Sequence, residues 1–155
     1  VNQKIVSIRL SCVAVAASLS AALLFAPPAG ARDERQKFPL ESALAQAQAS
    51  GKLAPGIKLF FGTQKHPKPA AQLGPVRTNK KTNFFNKSDK EGCDWAFLSA
   101  MITLTQYAQS HGGNAIVNIR SNYKNAEFSS ETEYECGAGN VTGGTAFVGD
   151  VVKLP

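Results

Sequence analysis

A chain of 155 residues has room for one domain and excludes two. Its 17 basic and 11 acidic residues give a net charge of +6, placed unevenly: Lys52 to Lys90 holds nine Lys and Arg against Asp89 alone, and Glu91 onward holds seven acids against three bases. Almost no aromatic residues interleave those lysines, which argues against nucleic acid as the partner and for a solvated surface or a non-nucleic polyanion.

The first 31 residues read as an export signal rather than as part of the domain. Lys4 and Arg9 form a short basic start, and Leu10 to Phe25 is an apolar run. Pro27 and Pro28 break it, and Ala29-Gly30-Ala31 supplies a small-residue cleavage site before the charged Arg32. The apolar run is shorter than the roughly 20 residues a bilayer core requires. Cleavage between Ala31 and Arg32 is therefore expected, with a periplasmic product that keeps no membrane span. Loss of Lys4 and Arg9 leaves 15 basic residues against 11 acidic ones, a charge of +4. Cys12 leaves as well, so Cys93 and Cys136 enter an oxidising compartment as a pair.

In the remaining chain, residues 32–56 are expected to form a looser N-terminal arm. Leu40 to Ala49 has high helix propensity and is ended by Gly51, giving a small peripheral helix. Ile57 to Phe61, between Pro55-Gly56 and Gly62, reads as a strand. Val76 to Phe85 fits a lysine-rich edge strand, whose charges deter edge-to-edge pairing.

Ser88-Asp89-Lys90-Glu91 is a capping box that starts the main helix, and Gly112-Gly113 stops it. Cys93, Phe97, Ala100, Met101, Leu104 and Ala108 recur at helical spacing and form one apolar stripe. Three strands follow. Asn114 to Tyr123 is expected to hold Ala115, Val117, Ile119 and Tyr123 on one face. Phe128 to Cys136 alternates Phe128, Ser130, Thr132, Tyr134 and Cys136 with a wet face of Ser129, Glu131, Glu133 and Glu135. Lys124 to Glu127 is the expected hairpin turn between these two. After a glycine-rich connection over Gly137 to Gly144, the last strand, Thr145 to Leu154, sets Val148 and Val152 opposite Phe147 and Val151.

The helix stripe and the inward face of the acidic strand place Cys93 and Cys136 in one layer. A disulfide there closes a loop of roughly 44 residues, for which chain entropy predicts about 4 kcal/mol. Two rivals stay open. A thiol in the first helical turn has a lowered pKa and is reactive, although no C-x-x-C is present. A metal site would draw on His66 or His111 with the cysteines, although none of the four shows paired ligand spacing. His111 fits a helix C-terminal cap and His66 an exposed loop. Asp94 complements the helix dipole, and Trp95 is read as packing. No metal site and no cofactor is expected. Gly74 to Lys81 only partly matches a phosphate loop, with Asn79 and Lys81 in place of Gly and Ser or Thr. No other catalytic pattern is present.

Cys93 to Tyr123 (CDWAFLSAMITLTQYAQSHGGNAIVNIRSNY), with SSETEYECGAG, GDVVKL, KLFFGTQKHPKP and TNKKTN, resembles a family of small exported proteobacterial proteins that carry the label "excinuclease ATPase subunit". An enzyme of that kind needs complete phosphate loops and a much larger chain. The helix-Gly-x-Asn-Ala-strand element is similar, more distantly, to small domains labelled heavy-metal binding and to the outer-membrane lipoprotein sensor of the Rcs envelope-stress pathway. That resemblance implies a helix on a small sheet with Cys93 and Cys136 as the staple. The chain lacks the sensor's lipid-attachment motif.

The expected fold is α+β: one main helix on a small, mostly antiparallel sheet of three to five strands, with a short N-terminal helix. The expected function is an exported, non-enzymatic binding or envelope-stress module stabilised by one disulfide. The alternatives are a redox or metal protein using Cys93 and Cys136, and the nucleotide or DNA-repair role of the label. Lys58, Lys65, Lys68, Arg77, Lys80, Lys81 and Lys87 are the candidate surface for an anionic partner, an envelope protein or a polyanion.

Overall fold

A computed structural model describes residues 32–155; the expected export signal and the expected cleavage point after Ala31 lie outside the described residues. The chain runs β1 (Glu34–Pro39), α1 (Leu40–Ala49), β2 (Lys58–Phe61), β3 (Ala71–Asn83), α2 (Asp89–Ser110), β4 (Ala115–Ser121), a 3-10 turn (Tyr123–Asn125), β5 (Glu133–Ala138) and β6 (Thr142–Lys153). The class is α+β, as expected. The sheet is larger than expected, with six strands, and it is mixed, because β2 runs parallel to β4. Parallel neighbours need a long crossover, and here β3 and α2 supply it.

β6 is the axis of the sheet. β3 pairs with it along one edge from Asn83↔Thr142 to Ala71↔Lys153. The other edge is shared: β5 takes Gly143 and Gly144, and β4 takes Phe147 to Val152. β1 extends the sheet beyond β5, and β2 extends it beyond β4. β3 pairs only with β6 among the described strands, so it is the lysine-bearing edge strand expected.

α2 covers one face of this sheet. The Ser88 side chain accepts from the Glu91 amide at 3.2 Å, as the cap predicts, and Gly112 leaves the helix at φ 75°. Cys93, Phe97, Ala100, Met101, Leu104 and Ala108 are all fully buried. They meet Phe61, Ile116, Ile119, Tyr134, Phe147 and Val151 from the sheet. A second, smaller cluster of Ala115, Val117, Val152 and Leu154 sits apart from this core, with Phe60 against it.

Several details differ from the sequence reading. The segment 32–56 is not a loose arm: β1 pairs with β5 over its whole length, and Leu40, Ala43 and Ala47 of α1 are buried. β4 does not keep one face. Asn118 adopts φ 54°, and the register shifts between Val117 and Arg120. This bulge turns Ile119 into the main core while Ala115 and Val117 join the smaller cluster. β4 and β5 form no hairpin. Ser121 at the end of β4 bridges instead to Phe128 in the connecting segment, and β5 begins only at Glu133. Glu135, expected on a wet face, is 4% exposed. Tyr123 folds over its side of the sheet, against Gly137.

The glycines of Gly137 to Gly144 are needed inside strands more than in a loop. A Cβ at Gly137 would lie 1.9 Å from the Tyr123 ring. One at Gly143 would lie 2.4 Å from Phe84, and so would one at Gly92 in α2. Phe84 is thus wedged between helix and sheet by two glycines.

Gly92→Ala tests this wedge. Helix propensity alone favours alanine by about 1 kcal/mol, yet overpacking against Phe84 is expected to win and to destabilise by about 1–3 kcal/mol. Urea unfolding of the two proteins measures the difference, and a stabilised variant would refute the wedge.

Candidate functional site

The cysteine pair was the first candidate. Cys93 in the first turns of α2 and Cys136 in β5 are joined by a disulfide with Cα atoms 5.9 Å apart, and both are fully buried. In the same core the Phe97 and Tyr134 rings pack on each other with centroids 4.7 Å apart. Tyr134 donates its hydroxyl hydrogen to Asp94 at 2.9 Å, and Lys90 donates to the other Asp94 oxygen at 2.6 Å. Burial, reinforced by the Asp94 charge, pushes the Tyr134 hydroxyl well above its ordinary pKa. Asp94 is therefore a bridge between helix and strand as well as a helix-start acid.

β1 closes over the same end of α2. Arg32 donates to Asp89 at 3.1 Å and to Glu34 at 3.0 Å, and Gln36 donates to Asp89 at 2.6 Å. The Arg32 hydrogen bonds hold the Asp89 carboxyl below its ordinary value of 3.8. In this bonded and fully buried state neither cysteine sulfur is a free thiolate.

The other chemical candidates lie apart. Cys93 and His111 sit toward opposite ends of α2, about 27 Å apart at 1.5 Å per residue. His111 is the C-cap, its ring stacked on Tyr107 at 3.9 Å. His66 is half-buried rather than fully exposed, with its ring 5.4 Å from that of Phe60. Among the described residues no three His, Cys, Asp or Glu side chains group to hold a metal ion. Gly74 to Lys81 is extended within β3, not a loop leading into a helix.

The basic residues are divided by the pleat of β3. Residues paired across an antiparallel ladder share a face. Lys80, opposite Thr145, falls on the α2 side, whereas Arg77 and Lys81, opposite Val148 and Gly144, fall on the far side. Lys58 is on β2, Lys65 and Lys68 follow it in the next loop, and Lys87 precedes α2.

That far side of the sheet carries a polar surface. Arg120, on the same face as Arg77, pairs with Glu127 at 2.8 Å and holds that carboxyl below its ordinary pKa. Arg35 lies 3.6 Å from the buried Glu135, whose amide nitrogen donates to Ser121 Oγ at 2.9 Å. Tyr123 donates to Asp33 at 2.9 Å, and Lys124 pairs with the other Asp33 oxygen. Burial, and then Asp33, raises the Tyr123 pKa. Between these groups Arg77, Asn79, Asn122, Lys124 and Asn125 surround a hollow of about 280 Å³ beside Ala146. The sequence reading included Arg77 but missed the asparagines and Lys124. The i, i+2, i+4 spacing of Arg77, Asn79 and Lys81 was a usable signal for one wall.

A second concavity of about 260 Å³ lies between α1 and α2, lined by Gln46, Ser50, Glu91, Asp94, Trp95 and Leu98. Trp95, expected to be packing, is 50% exposed there.

No helix among the described residues is long and apolar enough to cross a membrane. No family model, curated protein or solved structure matches the chain.

Two outcomes follow from this geometry. The double substitution Cys93→Ala/Cys136→Ala is expected to lose about 2–4 kcal/mol of stability, read by denaturant unfolding; an unchanged midpoint would contradict a structural staple. The Arg32–Asp89 pair should act in one direction with pH. Because the folded carboxyl titrates below 3.8, its stabilisation is complete above that value and is lost as pH falls through the lower folded pKa. Asp89→Asn should therefore flatten the acid limb of a melting-temperature profile below about pH 4 and leave its shape near neutrality unchanged.

Proposed function

We propose that this protein is an exported, non-enzymatic binding module of the bacterial envelope, held together by its disulfide and meeting an anionic partner on the sheet face opposite α2. The observation that carries the reading is the sealed Cys93–Cys136 bond. A disulfide that bridges the main helix to the sheet suits a small domain that folds in an oxidising compartment. It also spends both remaining cysteines on architecture. The periplasm is the compartment that fits, given the leader read from residues 1–31. The resemblance to the envelope-stress sensor agrees with a stapled helix on a sheet. With the cysteines committed, the partner surface has to be built from other side chains. The far face of the sheet offers Arg77 and Lys81 on β3 and Lys124 on the neighbouring turn.

Thiol trapping tests the compartment. The full chain, expressed in a bacterium and recovered from the periplasm, is expected to begin at Arg32 and to resist alkylation until reduced. Protein retained in the cytoplasm with two free thiols would overturn the reading. A polyanion column tests the surface. Retention should fall as salt rises, because exposed charges separated by more than about 8–10 Å are screened near physiological ionic strength. Arg77→Glu/Lys81→Glu should elute at lower salt than the parent, and equal elution would refute the assigned face.

A further inference from the structure

We infer that the hollow beside Ala146 is a binding site for a small hydroxylated acid, a sugar bearing a carboxylate, with Arg77 as the anion anchor. The inference rests on the reading that this sheet face meets an anionic partner, and it names the ligand class.

Three features of the hollow set its chemistry. First, its lining contains no carboxylate: Arg77, Thr78, Asn79, Asn122, Lys124, Asn125 and Ala146. Of its two cations, Lys124 is paired with Asp33, whereas Arg77 makes no ion pair or side-chain hydrogen bond among the described residues. Glu127 lies close enough to feel the Arg77 charge, but Arg120 already holds it at 2.8 Å. A guanidinium left in this state matches a carboxylate with two parallel donors.

Second, the remaining polar lining is amide. Asn79 stands on β3, Asn122 precedes the 3-10 turn and Asn125 is its last residue. Each amide carries both donors and an acceptor. A sugar hydroxyl also donates and accepts, so amides match hydroxyls where lysines alone would not. No aromatic and no large aliphatic side chain lines the hollow, which speaks against a nucleobase or an acyl chain. Its volume of about 280 Å³ suits a single small ligand.

Third, the wall is built at a conformational cost. Lys124 and Asn125 are both left-handed, at φ 53° and 60°. Asparagine tolerates this conformation, but lysine does so rarely. The turn is fixed from both ends: Tyr123 and Lys124 both engage Asp33, and the Asn125 and Ala126 amides donate to Asn122 and Tyr123 carbonyls at 3.3 and 3.1 Å. The Asn122 amide in turn donates to the Ala146 carbonyl at 2.7 Å. The strained turn is thereby tied to the strand that carries Ala146. Strained backbone held in place by its surroundings concentrates at binding sites.

The test is an NMR titration of the oxidised chain with D-glucuronate, D-glucose and inorganic phosphate in parallel. Glucuronate is expected to shift the amides of residues 77–79, 122–125 and 146, and glucose to bind about tenfold or more weakly, as loss of a charge-assisted hydrogen bond implies. Arg77→Ala should weaken glucuronate binding by a similar factor. Lys124→Gly accepts the left-handed backbone without strain, so it should fold normally and still weaken binding. Lys153→Ala should change nothing, since seven residues of β6 place it about 23 Å from Ala146.

Equal binding of glucose and glucuronate would overturn the anion anchor. Phosphate binding as tightly as glucuronate would overturn the saccharide assignment. Shifts confined to other residues, or none with any of the three, would overturn the site. Salt-dependent polyanion retention that survives such a result leaves the broader reading standing; its loss while glucuronate still binds removes the broader reading alone.

Discussion

Every layer of this fold depends on how the backbone of β6 is satisfied. A central strand must find hydrogen-bond partners on both edges. β6 finds one long partner, β3, and two short ones, β5 and β4, in succession. The change of partner follows Gly143 and Gly144. A Cβ at Gly144 would lie 2.2 Å from the Lys80 carbonyl oxygen, and one at Gly143 would lie 2.5 Å from that of Gly137. Side chains at these positions would force the neighbouring strands apart. Because β5 and β4 share one edge, the sheet carries two wings, β5–β1 and β4–β2, and the gap between them is crossed by residues 122–132.

The core answers this geometry. α2 lies against the sheet, with the Phe97 ring edge-on to Phe147 and close to Tyr134. The disulfide then fixes the start of the helix to the β5–β1 wing, whose direct ladder with β6 is only two residue pairs long. A cross-link is most useful where the hydrogen-bonded connection is short, and here it also places Asp94 under the Tyr134 hydroxyl. The topology thus gives the disulfide its structural place in the fold. The segment that crosses the gap between the wings also supplies the left-handed turn and the asparagines of the hollow. Its conformation follows from spanning two strands that do not form a hairpin.

Local pattern was enough wherever one physical cause dominated. α1 occupies Leu40–Ala49 because alanine, leucine and glutamine favour helix and Gly51 ends it. α2 follows from its cap, its stripe and its glycine stop, and the stripe together with the alternation ending at Cys136 placed both sulfurs in one layer. Pattern failed where two causes competed. In β4, alternation put Ile119 with Ala115 and Val117, but the Asn118 bulge reversed it. In β5, the acidic alternation implied water at Glu135, but it is buried, with Arg35 3.6 Å from its carboxylate. Clustered glycines read as a connection between strands, although close packing against Tyr123 and Phe84 is what Gly137 and Gly143 answer to. The candidate basic surface was read as one group of residues, whereas the pleat of β3 separates Lys80 from Arg77 and Lys81.

By itself the sequence determined the α+β class, both helices and their limits, the lysine-bearing edge strand and the shared layer of the two cysteines. Each of these follows from residue spacing read within one helix or one strand at a time. Tertiary structure alone decided the mixed six-stranded order, the parallel β2–β4 pair, the burial of Glu135 and the meeting of Arg77 and Asn79 with Asn122, Lys124 and Asn125. Those features depend on which separate segments meet, and no local periodicity records which strand edge another segment will find.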